Sequence, residues 1–254
     1  LDFAGSDGGQ FQMAAALVEK YGVVPSYAMP ETFNTNDTTG FATALGDKLK
    51  KDALVLRHLK QYGKDDEIKK VREKFLSEVY QMTAIAVGEP PKTFDLEYRD
   101  DDKKYHLEKI LTPLEFLHKY MGDVDFDDYV VLTNAPDHDY NKLYGLPAED
   151  NIEGSLRIKL LNVPMEYLSS AAIAQLKDGE AVWFGNDVLR QMDRKTGYLD
   201  TNLYKLDDLF GVDLKMSKAD RLKTGVGQVS HSMTLVCVDE DIGVVRQWIV
   251  ENSW

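Results

Sequence analysis

The stretch that decides the fold is residues 229–254, VSHSMTLVCVDEDIGVVRQWIVENSW. Two apolar runs flank a short acidic turn, the pattern of two antiparallel strands joined by a hairpin. In the first run residues 231, 233, 235 and 237 share one face and 232, 234, 236 and 238 the other. His231 therefore stands at the N-terminal end of a strand expected to be largely apolar and buried, with Cys237 a buried residue farther along it. A second strand of this length would bring Asn252 back beside His231. An asparagine oxygen that accepts from an imidazole N–H fixes the orientation and tautomer of the ring, which is what the third member of a Cys-His-Asn nucleophile system must do. A histidine that merely packs in a strand satisfies the same pattern, and the pair alone leaves both readings open.

Composition narrows the choice. The 254 residues are 43% hydrophobic and 10% aromatic, enough to bury a core in one large or two small domains. The 30 basic and 43 acidic residues give a formal net charge of −13, which argues against a surface that tracks nucleic-acid phosphates. No run approaches the roughly 18 apolar residues of a membrane-spanning helix, so no membrane partner is expected. The start, LDFAGSDGGQ, has neither a basic region nor an apolar one of the kind that directs secretion. It also lacks an initiator Met, as a trimmed chain would. The single cysteine, Cys237, excludes an internal disulfide framework and fits a cytoplasmic setting.

Reading along the chain gives an α+β order, with helices early and an antiparallel sheet late. FQMAAALVEKYG places Phe11, Ala15 and Val18 on one helical stripe, with Gly22 as the stop, so a helix begins just behind Gly8 and Gly9. From Gly46 to about Val87 the pattern predicts two charged helices broken near Gly63, Asp65 and Asp66. Their apolar spacing is carried by Leu54, His58 and Tyr62, then by Val71, Phe75, Val79 and Met82, a stripe read as core. FDLEYRDDDKKYHLEKI alternates about a polar turn and predicts a hairpin. Thr112, Pro113 and Glu115 then form the capping box of a further helix. Beyond it, strands are predicted in YVVLTNA, SLRIKLLNVP, EAVWFG and the final pair, with one helix in MEYLSSAAIAQLKDG. The divisions drawn from this are residues 1–40, 41–125 and 126–254.

Other patterns reduce to ordinary structure. Asp123, Asp125 and Asp127 begin like a calcium loop, but Asp128 replaces the turn glycine and Asn134 the closing glutamate, so a solvated acidic loop is expected. His58, His106, His118 and His138 have no ligand spacing, and neither a metal nor a cofactor is expected. TGVGQ (224–228) precedes a strand, whereas a phosphate loop follows one and opens a helix.

Taken together, SHSMTLVCVDED and WIVENSW resemble the His and Asn strands of papain-like cysteine peptidases, and GSDGGQFQMAAALVEKYGVV resembles their glycine-pair segment and the helix after it. Ser6 stands where secreted members carry a disulfide cysteine. The phrases SDGGQ, EKYGVVP, MPETF and VWFG are similar to those of the bleomycin hydrolase group, which includes bacterial aminopeptidase C and carries long helical insertions. The resemblance implies a papain-like fold in which 1–40 and 126–254 form the core and 41–125 a mainly helical insertion with a hairpin.

It further implies cysteine aminopeptidase action on peptides, in a homo-hexameric ring with enclosed sites. His231 would be the base, Asn252 its orienter and Trp254 the cover over their hydrogen bond. Gly8 and Gly9 would bring bare backbone against a peptide substrate. The family's nucleophilic Cys and oxyanion Gln lie ahead of the glycine pair, and its exopeptidase limit is set by a C-terminal tail, so this chain reads as a fragment, inactive by itself. Cys237 cannot serve as the nucleophile, because six strand residues separate it from His231 by roughly 20 Å. The alternatives are a non-catalytic papain-like module for binding or assembly, and a papain-like acyltransferase, which normally uses Asp in place of Asn252. An upstream Gln and Cys-Trp on an apolar helix would separate enzyme from module.

Overall fold

The computed structural model describes residues 8–122, 125–147, 149–155, 157–188 and 191–252. They divide into two compact units, Leu1–Phe126 with Asn151–Leu156, and Asp127–Asp150 with Arg157–Trp254.

The first unit begins with helix α1 (Phe11–Tyr21), whose Ala15 and Ala16 are buried. Gly22 ends it at φ 77°, where its N–H reaches Val18 O and a Cβ would stand only 2.3 Å from the carbonyl of Pro113. Both the positive φ and the close approach require glycine at this one position. A short α2 (Phe33–Asn36) precedes α3 (Thr39–Gln61) and α4 (Asp65–Val87), which pack on each other across a turn at Gly63. The helix pair and its break match the sequence reading, but α3 starts at Thr39, ahead of Gly46.

The inward stripe of α3 also differs from the one expected. Leu54, His58 and Tyr62 are exposed, while Gly46, Asp52 and Leu59 are buried. The reason is electrostatic: Asp52, only 6% exposed, pairs with Lys48, and Lys48 also reaches Glu78 of α4 at 2.9 Å. A buried carboxylate is tolerated because a cation neutralises it, and it occupies the place the apolar pattern would give to leucine. On α4 the stripe Val71, Phe75, Val79 and Met82 is half-buried, and Lys48 lies over the Phe75 ring at 4.6 Å.

Strands β1 (Phe94–Arg99) and β2 (Tyr105–Leu111) form the expected antiparallel hairpin. They lead into α5 (Pro113–Met121). Its capping box is present: Thr112 Oγ1 accepts from Glu115 N at 3.2 Å, and Thr112 N donates to Glu115 at 2.8 Å. That pair of bonds satisfies donors the helix start would leave open.

The second unit contains β3 (Val131–Thr133), β4 (Lys142–Gly145) and β5 (Lys159–Asn162), ordered β3-β5-β4. The first two partners run parallel and β5 with β4 antiparallel, so this part of the late sheet is mixed where an antiparallel one was expected. Asn162 is 0% exposed and bonds on every side. Its Oδ1 accepts from Ala135 N, and its Nδ2 donates to the carbonyls of Ala135, His138 and Asp139 at 3.0–3.2 Å. One side chain thereby closes the loop between β3 and β4.

After α6 (Met165–Lys177) come β6 (Val182–Asn186), the short pair β7 (Met192–Asp193) and β8 (Tyr198–Leu199), and helices α7 (Leu206–Phe210) and α8 (Lys218–Lys223). The two short helices have too few residues to show a period, and the sequence reading missed them. TGVGQ proves to be the turn that leaves α8, closed by Gly227 N to Arg221 O at 2.9 Å. The chain then enters β9 (His231–Asp241) and β10 (Val244–Glu251), which with β6 form an antiparallel sheet of order β10-β9-β6.

Candidate active site

The site is built at one end of the β6-β9-β10 sheet. Strand β9 is the middle strand, and its rungs with β6 are Val182 with Leu235, Phe184 with Met233, and Asn186 with His231. Opposed residues of antiparallel strands share a face. Met233 (5% exposed) and Leu235 (8%) bury that face and fix the register, and His231 is carried as the next rung along from them. On the other flank β10 runs back along β9 as far as Glu251 opposite Thr234, which delivers Asn252 to the start of β9.

There His231 Nε2 lies 3.1 Å from Asn252 Oδ1. The two residues predicted to meet do meet, at hydrogen-bond distance on adjacent antiparallel strands. A carbonyl oxygen only accepts, so the hydrogen of this bond sits on Nε2, and Nδ1 is left as the basic nitrogen of the neutral ring. The bond is half-buried, where competition from water is reduced.

Cys237 is exposed, which corrects the expectation that it is buried. The register explains this. Between Leu235 and Cys237 strand β9 carries Val236 as an extra residue against β10, a bulge that interrupts the alternation, and Val236 and Cys237 are both exposed. Strand β6 also stops covering β9 at Leu235, so beyond that point β9 has a partner on one edge only. Burial of β9 is thus confined to its first half.

Gly8 and Gly9 precede α1 in the first unit and are exposed. A Cβ at Gly9 would come no closer than 3.4 Å, to Met13 Sδ, so local crowding does not explain glycine there. Ser6, Asp123, Ser253 and Trp254 lie outside the described residues.

Among the described residues no group of three or more His, Cys, Asp or Glu could hold a metal ion. His106 pairs with Asp100 at 2.7 Å and stacks on Tyr98, His138 reaches Asp137 at 3.1 Å, and His58 packs on the Tyr62 ring. No described helix is long and apolar enough to cross a membrane. Two features beside the site went unread in the sequence. Asp187 pairs with Arg221 of α8, and Val188 N donates to Ser230 Oγ at 3.1 Å, so the ends of β6 and β9 are tied together next to His231. A period of two carried through EAVWFGN would have placed Asn186 on the inner face with Val182 and Phe184.

Comparison with known proteins finds relatives along the whole chain. Aminopeptidase E of Lactobacillus helveticus is 91% identical over 254 residues, covering all of this chain and 58% of that protein. Human bleomycin hydrolase is 38% identical over 257 residues, covering 98% of this chain and 56% of that protein. The crystal structure of PepW from Lactobacillus rhamnosis HN001 superposes with a TM-score of 0.92 at 45% identity, covering 98% of this chain and 56% of that one. The chain thus spans a little over half the length of these relatives. The fold is the papain-like α+β arrangement. With residues 1–254 matched from end to end, the chain belongs to the Peptidase C1-like family.

Proposed function

We propose that these residues are the base-bearing part of a cysteine aminopeptidase, with His231 the general base, Asn252 its orienter and the nucleophilic Cys outside the 254 residues. The observation that carries this reading is the 3.1 Å His231–Asn252 contact in a chain of this family, supported by relatives that bear aminopeptidase names. In the reaction Nδ1 of His231 takes the thiol proton as sulfur bonds to the substrate carbonyl carbon, and returns it to the amine that leaves as the acyl-enzyme forms. Asn252 holds Nε2–H throughout, so the ring neither rotates nor changes tautomer.

The rest of the proposal follows from the resemblance. The substrates are peptides trimmed from the amino end, Gly8 and Gly9 line the backbone of the bound peptide, and Trp254 covers the His–Asn bond. Residues 41–125 are an insertion into a core formed by 1–40 and 126–254, and the assembly is a homo-hexamer in the cytoplasm.

The test is hydrolysis of aminoacyl amides and of N-blocked peptides by the full-length protein under reductant. Turnover of the free-amine substrates alone, abolished by a thiol alkylating agent, supports the reading. Absence of thiol-dependent turnover rejects it in favour of a non-catalytic module. The 254-residue chain by itself is expected to be inactive, because it lacks the covalent route.

A further inference from the structure

The chain reaches His231 from α8, and it stays fastened to that helix on the way. Gly227 N donates to Arg221 O at 2.9 Å, and a Cβ at Gly227 would stand 3.2 Å from Arg221 Cβ, so the turn into β9 is seated on Arg221 itself. From the same residue the guanidinium crosses to Asp187, which follows the last residue of β6, the two side chains being only 22% and 20% exposed. Around Asp187 the end of β6 is bonded to the residue before His231: Ser230 N donates to Asn186 O at 3.0 Å, and the N–H of the buried Val188 donates to Ser230 Oγ at 3.1 Å. Arg221 therefore holds both sides of the corner from which His231 projects, β6 through Asp187 and the entry to β9 through Gly227. The helix that carries it is anchored in turn. Lys218 Nζ donates to Asn134 Oδ1 at 2.7 Å, and Asn134 Nδ2 donates to Val163 O at 2.8 Å, so α8 reaches from the loop after β3 to the end of β6.

We propose that Arg221, through its ion pair with Asp187, is a positioning residue for His231, fixing the main chain on both sides of the β6–β9 rung that carries the imidazole. This rests on the peptidase reading above, in which the ring must meet a thiol held outside these residues. Arg221 acts on where the ring stands, through the backbone, and leaves its bond to Asn252 as it is. Rate is more sensitive to such placement than folding is, since moving a reacting group by about 1 Å can cost roughly 10²-fold. A displaced ring takes the thiol proton less readily while the surface that binds substrate is untouched, so the effect falls on kcat and spares KM.

The experiment compares the full-length enzyme with its Arg221→Gln, Asp187→Asn, Arg221→Lys and Asp187→Asn/Arg221→Gln variants. Each is measured for turnover of an aminoacyl amide, alkylation by iodoacetamide and thermal unfolding. The double variant leaves no charge unpaired and so guards against misfolding of the single ones. Expected are a roughly tenfold fall in kcat in each charge-removing single variant with KM within twofold, and a double variant within about twofold of the singles, because the two residues act as one pair. Arg221→Lys, which keeps the cation, should recover to within about threefold. Alkylation at about pH 6 depends on the thiolate formed when His231 takes the proton, and should fall in step with kcat, whereas at about pH 9.5 the thiol ionises unaided and the rates should match. An unchanged kcat in the charge-removing variants overturns the assignment, whatever happens to the unfolding temperature. So does a loss that appears in KM, that adds up in the double variant, that lysine fails to recover, or that leaves alkylation at about pH 6 untouched. A wild-type enzyme without thiol-dependent turnover overturns the peptidase reading and this assignment with it, whereas an active wild type with an indifferent Arg221 overturns the assignment alone.

Discussion

The α3–α4 helix pair and the β6-β9-β10 sheet are both long elements with a polar group set into an apolar face, yet they hold it for opposite ends. In the helix pair Asp52 is buried against Lys48, four residues away, with Glu78 across the interface, so a charge cluster made largely of near neighbours fastens two helices. In the sheet His231 meets Asn252, 21 residues away, through strand register alone. A polar group satisfied locally strengthens a scaffold. One satisfied only through register depends on every rung between it and the core, which makes it sensitive and chemically useful.

The largest expected effect tests the sheet side of this contrast. In the full-length enzyme His231→Ala should lower the single-turnover acylation rate by roughly 10⁴-fold or more across pH 5–9, since the base itself is removed. Asn252→Ala should leave a residual rate, down roughly 10- to 10³-fold, because the base survives while its orientation suffers. Near-normal acylation by the His231 variant at neutral pH would remove the proposed mechanism.

Next is the register itself. Met233→Ala, two residues from His231 on the same buried face, should destabilise the protein by about 2–4 kcal/mol in urea unfolding and should also lower kcat. A stability loss with kcat intact would show that the site does not depend on that rung. Asp52→Ala should cost less, about 1–2 kcal/mol, since Lys48 keeps Glu78 as a partner, and activity should be unchanged. A change in kcat there would break the division between scaffold and site.

These predictions also mark what the sequence made legible. The α5 start was readable because Thr112, Pro113 and Glu115 act within one turn of each other. The β9–β10 hairpin was readable from its alternation, and with it the meeting of His231 and Asn252. The α3 stripe was misread because an inward Asp52 looks like an exposed one until Lys48 and Glu78 are placed around it. Burial of Cys237 was misread because period-two reasoning assumes an unbroken ladder, and the extra residue at Val236 has no composition signal of its own. The parallel pairing of β3 with β5 was missed because direction is set by the path between strands, which no local pattern records.

The smallest expected effect returns to local structure. Thr112→Ala should cost about 1 kcal/mol of stability, as N-cap losses do. Hydrogen bonds from the backbone N–H of Thr112 and then from its hydroxyl hold Glu115 below its ordinary carboxyl value of 4.5. A carboxylate lowered on folding stabilises fully above its unfolded value and loses that contribution as pH falls through the lower folded one. Glu115→Gln should therefore flatten the acid limb of the stability curve below about pH 4.5 and leave neutral kinetics unchanged. An acid limb identical to wild type would show that this carboxylate is not linked to folding.

Asn162 gives the molecule a fragility of another kind. Its amide faces one N–H and three carbonyls, an arrangement that accepts on one side and donates on the other. Replacing the NH₂ by oxygen, the change that deamidation makes, alters the mass of the protein by about one part in thirty thousand and turns three attractions into repulsions between oxygens. Leucine, branched alike but apolar and bulkier, would take from Ala135 N and His138 O the partner that Asn162 gives them. Chemical ageing at this one buried nitrogen would open the β3–β4 loop as surely as a large substitution, and among isosteres the position admits asparagine alone.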